Sequence, residues 1–532
     1  MSNVSDLLRE TATRRPDAVA LVEDRDGRRE LSWADLDAAV DAVARGLSGR
    51  GLRAGHRVAV VMVNRIDLAV AYFGILRGGM VAVPVNPRAT AGEIARMLQD
   101  CGAQLVLCDE IGVDAVRSAC EQVGSRGSGI DDLQVVVDGA KAKRGETSFD
   151  TFVAQAPRTD PIAPPDPEAR AVILYTSGTS GRPRGAVLTH RALLSNVEQA
   201  AAIEPPPLGP DDVVLGLLPL FHVYGLNAVL GQAVRQGARL VLVDGFRPDE
   251  LLRTIAEEGV TNLPLAPPVI AAWAGRDDLR QALSGVRRVL SGASNLDPEL
   301  AASFLESSGH HVEQGYGQTE TAPVISFTLV GHADRADGQG PTPGTVGRPL
   351  PGVEVGIIED GEREAEPGDP GEIWVRGDNV FSGYWPDGAD GPRPDGWYPT
   401  GDVGYLDDGG ELVLVDRLRE LVIVSGFNVY PSEVEEVLGA VDIVREVGVV
   451  GVPDERTGEA VVAFVVATSG VTDEEVVRRV TEHATHHLAR FKQPSNVIVV
   501  HDLPYSATGK VAKGRLRALA RSEALGLGAA EA

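Results

Sequence analysis

Stretches typical of buried strands alternate with stretches typical of helices along most of this 532-residue chain, and this alternation restricts the fold more than any other feature. The segment HRVAVVMVN (56–64) has the continuous apolar pattern of a buried strand, and DLAVAYFGILRGG (67–79) has helical spacing that ends in glycines. ARLVLVDGF (238–246) likewise precedes a helical pattern, RPDELLRTIAEEGV. Because strands joined through helices usually run parallel, the sequence predicts layered α/β architecture.

The length of the chain exceeds what one hydrophobic core usually serves, so several domains are expected. Residues 121–170 are rich in glycine and proline and are interpreted as a surface connector. From about residue 345, short strands with glycine turns predict a small β subdomain. We expect a large α/β domain over 1–416, a hinge at 417–419 and a smaller, mobile α+β domain over 420–532.

The charge and the cysteines narrow the possible functions. The chain has 50 Lys and Arg against 76 Asp and Glu, a net charge of −26, which disfavours binding to nucleic acid or anionic lipid. Cys101, Cys108 and Cys120 match no zinc, redox or disulfide pattern. The first residues lack the apolar core of a signal peptide, and no run of about 18 apolar residues occurs, so a cytoplasmic protein without a transmembrane segment is expected.

The run YTSGTSGRPRG (175–185) follows a short apolar strand and has the composition of a phosphate-binding loop. Gly178 and Gly181 allow the backbone to approach a ligand closely. Arg184 and Arg182 can each hold a phosphate through two hydrogen bonds. The hydroxyl groups of the loop add further donors: Thr176, Ser177, Thr179 and Ser180. The spacing matches neither the usual P-loop nor the G-x-G-x-x-G pattern of dinucleotide-binding proteins.

This loop resembles the phosphate-binding signature of the adenylate-forming superfamily, which includes acyl-CoA synthetases, aryl-CoA ligases, luciferases and peptide-synthetase adenylation domains. The family usually has lysines where this chain has Arg182 and Arg184, so the charge is kept and the geometry is not. Other segments resemble family motifs in the same order over nearly the whole chain: GMVAVPVNP (79–87), LPLFHVYGL (218–226), EQGYGQTETAP (313–323), GTVGRPLPG (344–352), GEIWVRG (371–377), WYPTGDVG (397–404), VDRLRELVIVSGFNVYPSEVE (415–435) and LPYSATGKVAK (503–513).

The resemblance implies the acyl-CoA synthetase type and a reaction in two steps. A carboxylate attacks the α-phosphate of ATP and expels pyrophosphate, and the thiol of coenzyme A then attacks the acyl-adenylate. ATP, Mg²⁺ and CoA are therefore the implied cofactors and co-substrates. The protein has to position two anions and neutralise the developing charge, and its two domains have to close for the first step and rearrange for the second.

The nucleotide-binding residues implied by the resemblance are Thr176, Ser177, Gly178, Thr179, Ser180, Gly181, Arg184, Gly292, Ala293, Ser294, Gly315, Tyr316, Gly317, Asp402 and Arg417. Tyr316 would stack on adenine, although a tyrosine among glycines can equally pack in a core. Asp402, reinforced by Arg417, would accept hydrogen bonds from both ribose hydroxyls.

Lys510, Thr319 and His222 are the implied catalytic residues. Lys510 would contact the attacking carboxylate and a phosphate oxygen, Thr319 would donate to the α-phosphate, and His222 would gate the acyl pocket. Glu320 and Thr176 are the implied ligands of Mg²⁺, a hard cation that suits one carboxylate together with phosphate oxygens.

Two further sets of residues follow from the resemblance. Arg419 falls at the hinge position, and Ser425, Gly426 and Phe427 would contact the pantetheine arm of CoA.

Metal sites built from histidine and cysteine are not expected, because the adjacent pairs His310-His311 and His486-His487 lack ligand spacing.

The acyl pocket implied by the resemblance is lined by His222, Val223, Asn227, Pro267, Gly292, Gly317 and Val324. These residues are small and mostly apolar, and no Arg or Lys in these stretches could pair with a second carboxylate. The sequence therefore favours a monocarboxylic acid with an apolar tail, a medium- or long-chain fatty acid. Aryl acids of the coumarate type, transfer of the acyl group to a carrier protein, and a monomer or a homodimer all stay open.

Overall fold

The computed structural model describes residues 1–25, 27–125, 133–158, 166–176, 183–294, 296–331, 340–359, 363–366, 368–417, 420–424, 427–454, 457–505 and 510–524. The helices are α1 (Ser5–Arg14), α2 (Trp33–Gly49), α3 (Ile66–Arg77), α4 (Ala91–Cys101), α5 (Val113–Ser125), α6 (Phe149–Ala154), α7 (His190–Ala201), a π-helix (Tyr224–Gly231), α8 (Gln232–Gln236), α9 (Pro248–Glu258), α10 (Pro267–Trp273), α11 (Leu279–Ala282), α12 (Pro298–Ser308), a 3₁₀ turn (Thr319–Thr321), α13 (Pro431–Gly439), α14 (Asp473–His487) and α15 (Lys513–Ala524).

The strands are β1 (Val19–Asp24), β2 (Arg28–Ser32), β3 (Arg57–Val61), β4 (Val81–Pro84), β5 (Leu105–Cys108), β6 (Gln134–Val137), β7 (Glu146–Ser148), β8 (Arg170–Thr176), β9 (Arg184–Thr189), β10 (Val213–Gly216), β11 (Arg239–Leu242), β12 (Asn262–Leu265), β13 (Arg288–Ser291), β14 (Val312–Gly317), β15 (Val324–Phe327), β16 (Arg348–Pro349), β17 (Glu354–Glu359), β18 (Arg363–Glu364), β19 (Gly371–Arg376), β20 (Tyr398–Leu406), β21 (Leu412–Arg417), β22 (Val422–Val424), β23 (Phe427–Val429), β24 (Val444–Asp454), β25 (Gly458–Ala467) and β26 (Asn496–Val499).

The first sheet has the strand order β7-β6-β5-β3-β4-β8-β9. β3 pairs in parallel with β4 and β5, as the alternation of strands and helices predicts, whereas β9 returns antiparallel to β8. Helices α4 and α5 pack on one face of this sheet, where Ile94 and Val116 share an apolar cluster with Val83 and Val106. The glycine-rich run 175–185 therefore joins two antiparallel strands at the edge of a buried sheet.

The interpretation of residues 121–170 as a surface connector was wrong. This region contains the end of α5, strands β6 and β7, and helix α6. β6 adds in parallel to β5, and β7 adds in parallel to β6, so the region extends the first sheet. The short apolar run of β6 buries Val136 and Val137 fully, which a reading dominated by the neighbouring glycines and prolines overlooked.

The second sheet has the order β16-β15-β14-β13-β12-β10-β11-β1-β2. Strands β10, β12, β13 and β14 run parallel to their neighbours, and β14 turns back into the antiparallel β15. Parallel strands end at one edge of a sheet, and ligands of α/β proteins bind at that edge. The segments that follow these strands begin with Leu217, Ala266, Gly292 and Gln318, so each of the predicted pocket segments starts at the same edge.

Residues 1–355 and 375–398 form one compact unit, and residues 356–374 and 399–532 form a second. The second unit carries the β subdomain expected after residue 345, a sheet of order β18-β17-β19-β20-β21. It also carries a sheet of order β23-β22-β25-β24 with β26 beside β25. Helices α13 and α14 share one apolar cluster with this sheet, and α15 shares another. The domain boundaries predicted at residues 416 and 420 stay predictions.

Among the described residues, no helix is long and apolar enough to span a membrane.

Candidate active site

The phosphate loop is held at both of its described ends. Thr176 pairs with Arg184 in the β8–β9 register, and the hydroxyl of the preceding Tyr175 donates to the Asp100 carboxylate at 2.6 Å. The loop residues between these ends lie outside the described residues: Ser177, Gly178, Thr179, Ser180, Gly181 and Arg182. The anchored hairpin places the half-buried Thr176 and Arg184 side by side where the loop begins and ends.

Arg184 is oriented by two residues of one segment. Its guanidinium carbon lies 3.8 Å from the centre of the Tyr384 ring, within the range of a cation–π contact. Its Nη2 donates to the Asp390 carboxylate at 2.7 Å. Sequence reasoning identified Arg184 but neither partner, because both lie about two hundred positions away along the chain.

A tight turn carries Thr319 and Glu320. β14 ends at Gly317, and a Cβ at this position would lie only 1.9 Å from the carbonyl oxygen of Pro323. Thr319 begins the 3₁₀ turn that follows, and Ala322 leaves it with a φ of 63°, in the left-handed region that few residues other than glycine adopt. Gly317 is thus required by close backbone contact, which explains its place in the sequence motif.

Three buried asparagines from separate elements fasten this turn. Asn227 of the π-helix donates to the carbonyl oxygens of Leu193 and Ala322, at 3.0 and 2.7 Å. Asn379 donates to the carbonyl of Thr321 at 2.8 Å. Asn196 of α7 donates to the Val324 carbonyl at 2.8 Å and accepts from the Val324 amide at 3.0 Å. Asn196 and Asn379 were not predicted from the sequence, since isolated asparagines give no signal of a tertiary contact.

Glu320 is buried, and its carboxylate accepts a hydrogen bond of 2.5 Å from the hydroxyl of Tyr384. Burial and the neighbouring carboxylate raise the pKa of the Tyr384 phenol, so the phenol stays protonated as a donor. The backbone of the same residue is also fixed, because the amide of Phe381 donates to the Glu320 carbonyl at 2.9 Å.

The donor set around Glu320 fits a magnesium ion. A carboxylate oxygen is a hard ligand of the kind that Mg²⁺ prefers, and β9, which begins at Arg184, packs against the turn that carries it. Within the described part of the chain, no group of three or more His, Cys, Asp or Glu residues could enclose a metal on its own. A cation at Glu320 would therefore take further ligands from water, hydroxyl or phosphate oxygens.

The turn after β13 contacts the segment that contains His222. A Cβ on the buried Gly292 would lie 2.8 Å from the ring of Tyr224. The amide of Tyr224 in turn donates to His222 Nδ1 at 3.3 Å, and burial raises the pKa of the Tyr224 phenol. Ala293 has a φ of 71° and is half-buried, as is Ser294. The structure thus brings Gly292 close to the His222 segment, and the absence of a side chain at Gly292 makes room for an aromatic ring.

The remaining residues predicted for the pocket lie on the elements around this edge. Val223 is buried, Val324 is fixed by Asn196, and Pro267 is the half-buried first residue of α10. Asn227 is fully buried, and its amide holds the turn in place. Gly315 and Tyr316 lie in β14, where Tyr316 is buried and opposes Ser326 of β15. The individual ligand contacts of these residues stay predictions.

The second unit carries the other predicted residues. Asp402 is buried in β20 and faces Arg417 of β21 in the strand register, and its amide donates to the hydroxyl of Thr400 at 3.1 Å. Lys510 is half-buried just before α15. Arg419, Ser425 and Gly426 lie outside the described residues, as do the side chains of Arg417 and Phe427.

Comparison with known proteins shows similarity over nearly the whole chain. Residues 8–385 match the family described as AMP-binding enzyme, and residues 433–510 match the AMP-binding enzyme C-terminal domain. The 4-coumarate–CoA ligase 5 of Oryza sativa subsp. japonica is 35% identical over 518 residues, which cover 95% of this chain and 92% of that protein. A long-chain-fatty-acid–CoA ligase of Bacillus subtilis (strain 168) is 31% identical over 535 residues, which cover 96% of this chain and 93% of that protein.

A solved structure is also similar over nearly the whole chain. ATP-bound MatB from Rhodopseudomonas palustris has a TM-score of 0.85 with this chain at 30% identity, covering 97% of this chain and 98% of that one. The chain therefore belongs to the AMP-binding enzyme family, within the adenylate-forming superfamily and of the acyl-CoA synthetase type.

Proposed function

We propose that this protein is an ATP-dependent acid–CoA ligase that forms an acyl-adenylate, releases pyrophosphate and then transfers the acyl group to coenzyme A. The observation that carries the proposal is the turn at Thr319 and Glu320. Three asparagines fasten its backbone and a phenol holds its carboxylate, beside the strand that leaves the phosphate loop. A turn fixed this firmly could hold a cation on Glu320, and that cation together with the Thr319 hydroxyl would offset charge that develops on phosphate without reorganisation of the protein.

Each part of the site has a role in the first step. The phosphate loop would bind the triphosphate, with Arg184 compensating its charge, and Thr319 would donate to the α-phosphate. Mg²⁺ on Glu320 and the hydroxyl of Thr176 would draw charge from the phosphate oxygens when bound. Tyr316 is proposed to contact the adenine.

The second unit would supply the remaining contacts. Asp402, with Arg417, is proposed to bind the ribose, and Lys510 is proposed to hold the attacking carboxylate against the α-phosphate. Arg419 would act as the hinge between the two steps, and Ser425, Gly426 and Phe427 would contact CoA. Lys510 and Glu320 are both proposed to act in the first step, and they belong to different compact units.

We propose a medium- or long-chain fatty acid as the first candidate substrate. The predicted pocket residues near His222 include Val223 and Val324, which are apolar, whereas the space beside Gly292 and Gly317 is taken by the Tyr224 ring and the Pro323 backbone. The relative from Bacillus subtilis, which is named for long-chain fatty acids, supports this candidate.

An aryl acid is the second candidate, and the contact between Tyr224 and Gly292 favours it. The half-buried ring of Tyr224 at this edge offers a flat apolar wall, against which another ring can stack or pack edge to face. The relative from Oryza sativa, named for 4-coumarate, supports this candidate. A long-chain fatty acid needs a deeper pocket than an aryl acid does, so activity measured with acids of different length and shape distinguishes the two candidates.

Pyrophosphate exchange and acyl-CoA formation across an acid panel test the proposal. The panel contains medium- and long-chain fatty acids, cinnamic-type acids and, as controls, dicarboxylic acids. We expect exchange with the monocarboxylic acids and thioester formation only when CoA is present. Adenylate formation without any use of CoA would support loading of a carrier protein instead. Absence of exchange with every acid would refute the ligase assignment.

A pocket variant connects the result to the structure. Gly292→Ala adds a methyl group 2.8 Å from the Tyr224 ring, so the ring has to move and the pocket changes shape. We expect the KM for the preferred acid to rise, while the KM for ATP changes less. An unchanged KM for the preferred acid would place the acyl group elsewhere.

A further inference from the structure

The segment 381–385 links the phosphate-loop hairpin to Glu320, and sequence reasoning gave it no role. The amide of Trp385 donates to the carbonyl of Gly185 at 2.7 Å. Ser382 and Gly383 form two more backbone hydrogen bonds with Val187 of β9, each of 3.1 Å. The segment therefore pairs with β9 immediately after Arg184. We call residues 381–385 the bridging segment.

The bridging segment holds Glu320 at two points. The Phe381 amide donates to the Glu320 carbonyl at 2.9 Å, and the Tyr384 hydroxyl donates to the Glu320 carboxylate at 2.5 Å. The ring of Tyr384 is also fixed, because Phe381 packs edge-on against it with ring centres 5.1 Å apart. The position of the phenol, and with it the position of the carboxylate, is thus determined by β9 and the bridging segment.

Tyr384 contacts two charged groups that the proposed function assigns to nucleotide binding. Its hydroxyl meets the Glu320 carboxylate, and the face of its ring meets the Arg184 guanidinium at 3.8 Å. A phenol is neutral, so it orients each ion without cancelling its charge. An arginine or lysine in its place would pair with Glu320 and reduce the attraction of this carboxylate for a metal ion.

We propose that Tyr384 is a positioning residue that orients Glu320 for the magnesium ion of Mg–ATP and Arg184 for the phosphates. This inference rests on the proposed function. Asp390 of the same stretch of chain also binds Arg184 through its carboxylate, and its backbone has a φ of 51°, which asparagine and aspartate adopt more readily than most residues.

The test measures how strongly Mg²⁺ promotes ATP binding, and it does not require turnover. Isothermal titration calorimetry gives the Kd of ATP in EDTA and in saturating Mg²⁺, and the ratio of the two is the coupling factor. Tyr384→Phe keeps the ring and removes only the hydroxyl. Because a hydrogen bond to a charged group contributes enough to change an equilibrium about tenfold, we expect the coupling factor to fall about tenfold. The Kd in EDTA should change by less than about twofold, because the ring contact with Arg184 is retained.

Thr261→Val is the control. It removes a hydroxyl–carboxylate hydrogen bond of the same unit, from Thr261 to Asp212 at 2.8 Å, and leaves Glu320 and the phosphate-loop hairpin untouched. We expect its coupling factor to equal that of the wild type. An equal loss of coupling in both variants would show that the effect is a general loss of structure, and it would overturn the proposal.

A double-mutant cycle shows whether Tyr384 acts through Glu320. Glu320→Gln should remove most of the coupling, and adding Tyr384→Phe to this variant should then change nothing further. Additive effects would overturn the assigned route. Tyr384→Leu removes the ring as well, and we expect it also to weaken ATP binding in EDTA, because Arg184 loses its platform. If Tyr384→Phe melts well below the wild type, all variants are titrated at a temperature below the lowest melting temperature, so that every protein compared is folded.

These outcomes are distinct from failure of the proposed function. A wild-type protein that binds Mg–ATP but exchanges no pyrophosphate with any acid would refute the ligase assignment and leave the coupling measurements valid. A wild-type protein that exchanges pyrophosphate, with a coupling factor unaffected by Tyr384→Phe, would refute the positioning role alone.

Discussion

Replacing Gly317 by alanine should lower the activity of the protein far more than it lowers the stability of the fold. The new Cβ would lie 1.9 Å from the Pro323 carbonyl oxygen and 3.1 Å from Val324 Cα, whereas ordinary contacts begin at 3.4 Å. Backbone on one side of the turn has to move by more than an ångström, because neither contact is with a flexible side chain. Overpacking of this kind costs about 1–3 kcal/mol of stability. Thr319 and Glu320 follow Gly317 directly and would shift with it.

The expected loss of activity is larger than the loss of stability suggests. A displacement of about 1 Å in groups that position a substrate can lower the rate about a hundredfold. We therefore expect kcat/KM for ATP in pyrophosphate exchange to fall about a hundredfold, while the melting temperature drops by only a few degrees. Gly285→Ala is the control, since its Cβ would meet nothing within 4 Å. A Gly317→Ala protein that is destabilised but keeps its activity within about threefold would show that the turn does not carry the chemistry.

Four further outcomes are expected. Asn227→Ala leaves the carbonyls of Leu193 and Ala322 without their donor and should lower the free energy of unfolding by about 1–3 kcal/mol, measured by thermal or urea unfolding. Burial lowers the pKa of His190 to about 4, and its Nδ1 accepts a hydrogen bond from the Val4 amide. Below about pH 6.5 the unfolded chain therefore binds a proton at this histidine that the folded chain does not bind. The free energy of unfolding should fall as the pH drops from 6.5 to 4, by up to about 1.4 kcal/mol per pH unit. His190→Asn should flatten this part of the stability–pH curve, and identical curves for the two proteins would contradict the assignment. Asp402→Ala should raise the KM for ATP strongly, and an unchanged KM would place the ribose elsewhere. Lys510→Ala should abolish acyl-adenylate formation while ATP binding stays largely intact, and near-normal pyrophosphate exchange in this variant would remove the lysine from the mechanism.

Local patterns in the sequence predicted most of the architecture. The helical spacing at 67–79 became α3 (Ile66–Arg77), and that after 246 became α9 (Pro248–Glu258), because apolar periodicity and terminal glycines are properties of neighbouring residues. Except for the antiparallel β9, the strands of the first sheet pair in parallel, as the alternation predicts. β6 and β7 were missed because each is only three or four residues long and lies among turn-forming residues. Short edge strands depend on the sheet beside them, which a local pattern does not contain.

The residues of the candidate site also fall into two groups, those that a local sequence pattern predicts and those that it does not. Gly317, Thr319 and Glu320 were predicted because they lie in one short motif, and the structure places them on one turn. The residues that hold this turn were not predicted. Asn379 lies 58 positions from Thr321, Tyr384 lies 64 positions from Glu320, and Asn196 lies 128 positions from Val324. Their roles arise only when four elements meet in the folded protein, so a single sequence that is read without comparison with other sequences carries no signal of these roles.

The chemistry of these hidden residues follows from that of the site. Groups that hold a turn next to a triphosphate have to satisfy buried backbone atoms without adding charge, because a further cation would compete for Glu320 and a further anion would repel the phosphates. Amides and a phenol meet both requirements, and the residues found here are Asn196, Asn227, Asn379 and Tyr384. Under the proposed function, the charges that would act on the nucleotide, those of Arg184 and Glu320, can then be few and fixed in direction. Substitution of any of the three amides by a charged residue of similar size would therefore disturb the site more through its electric field than through its shape.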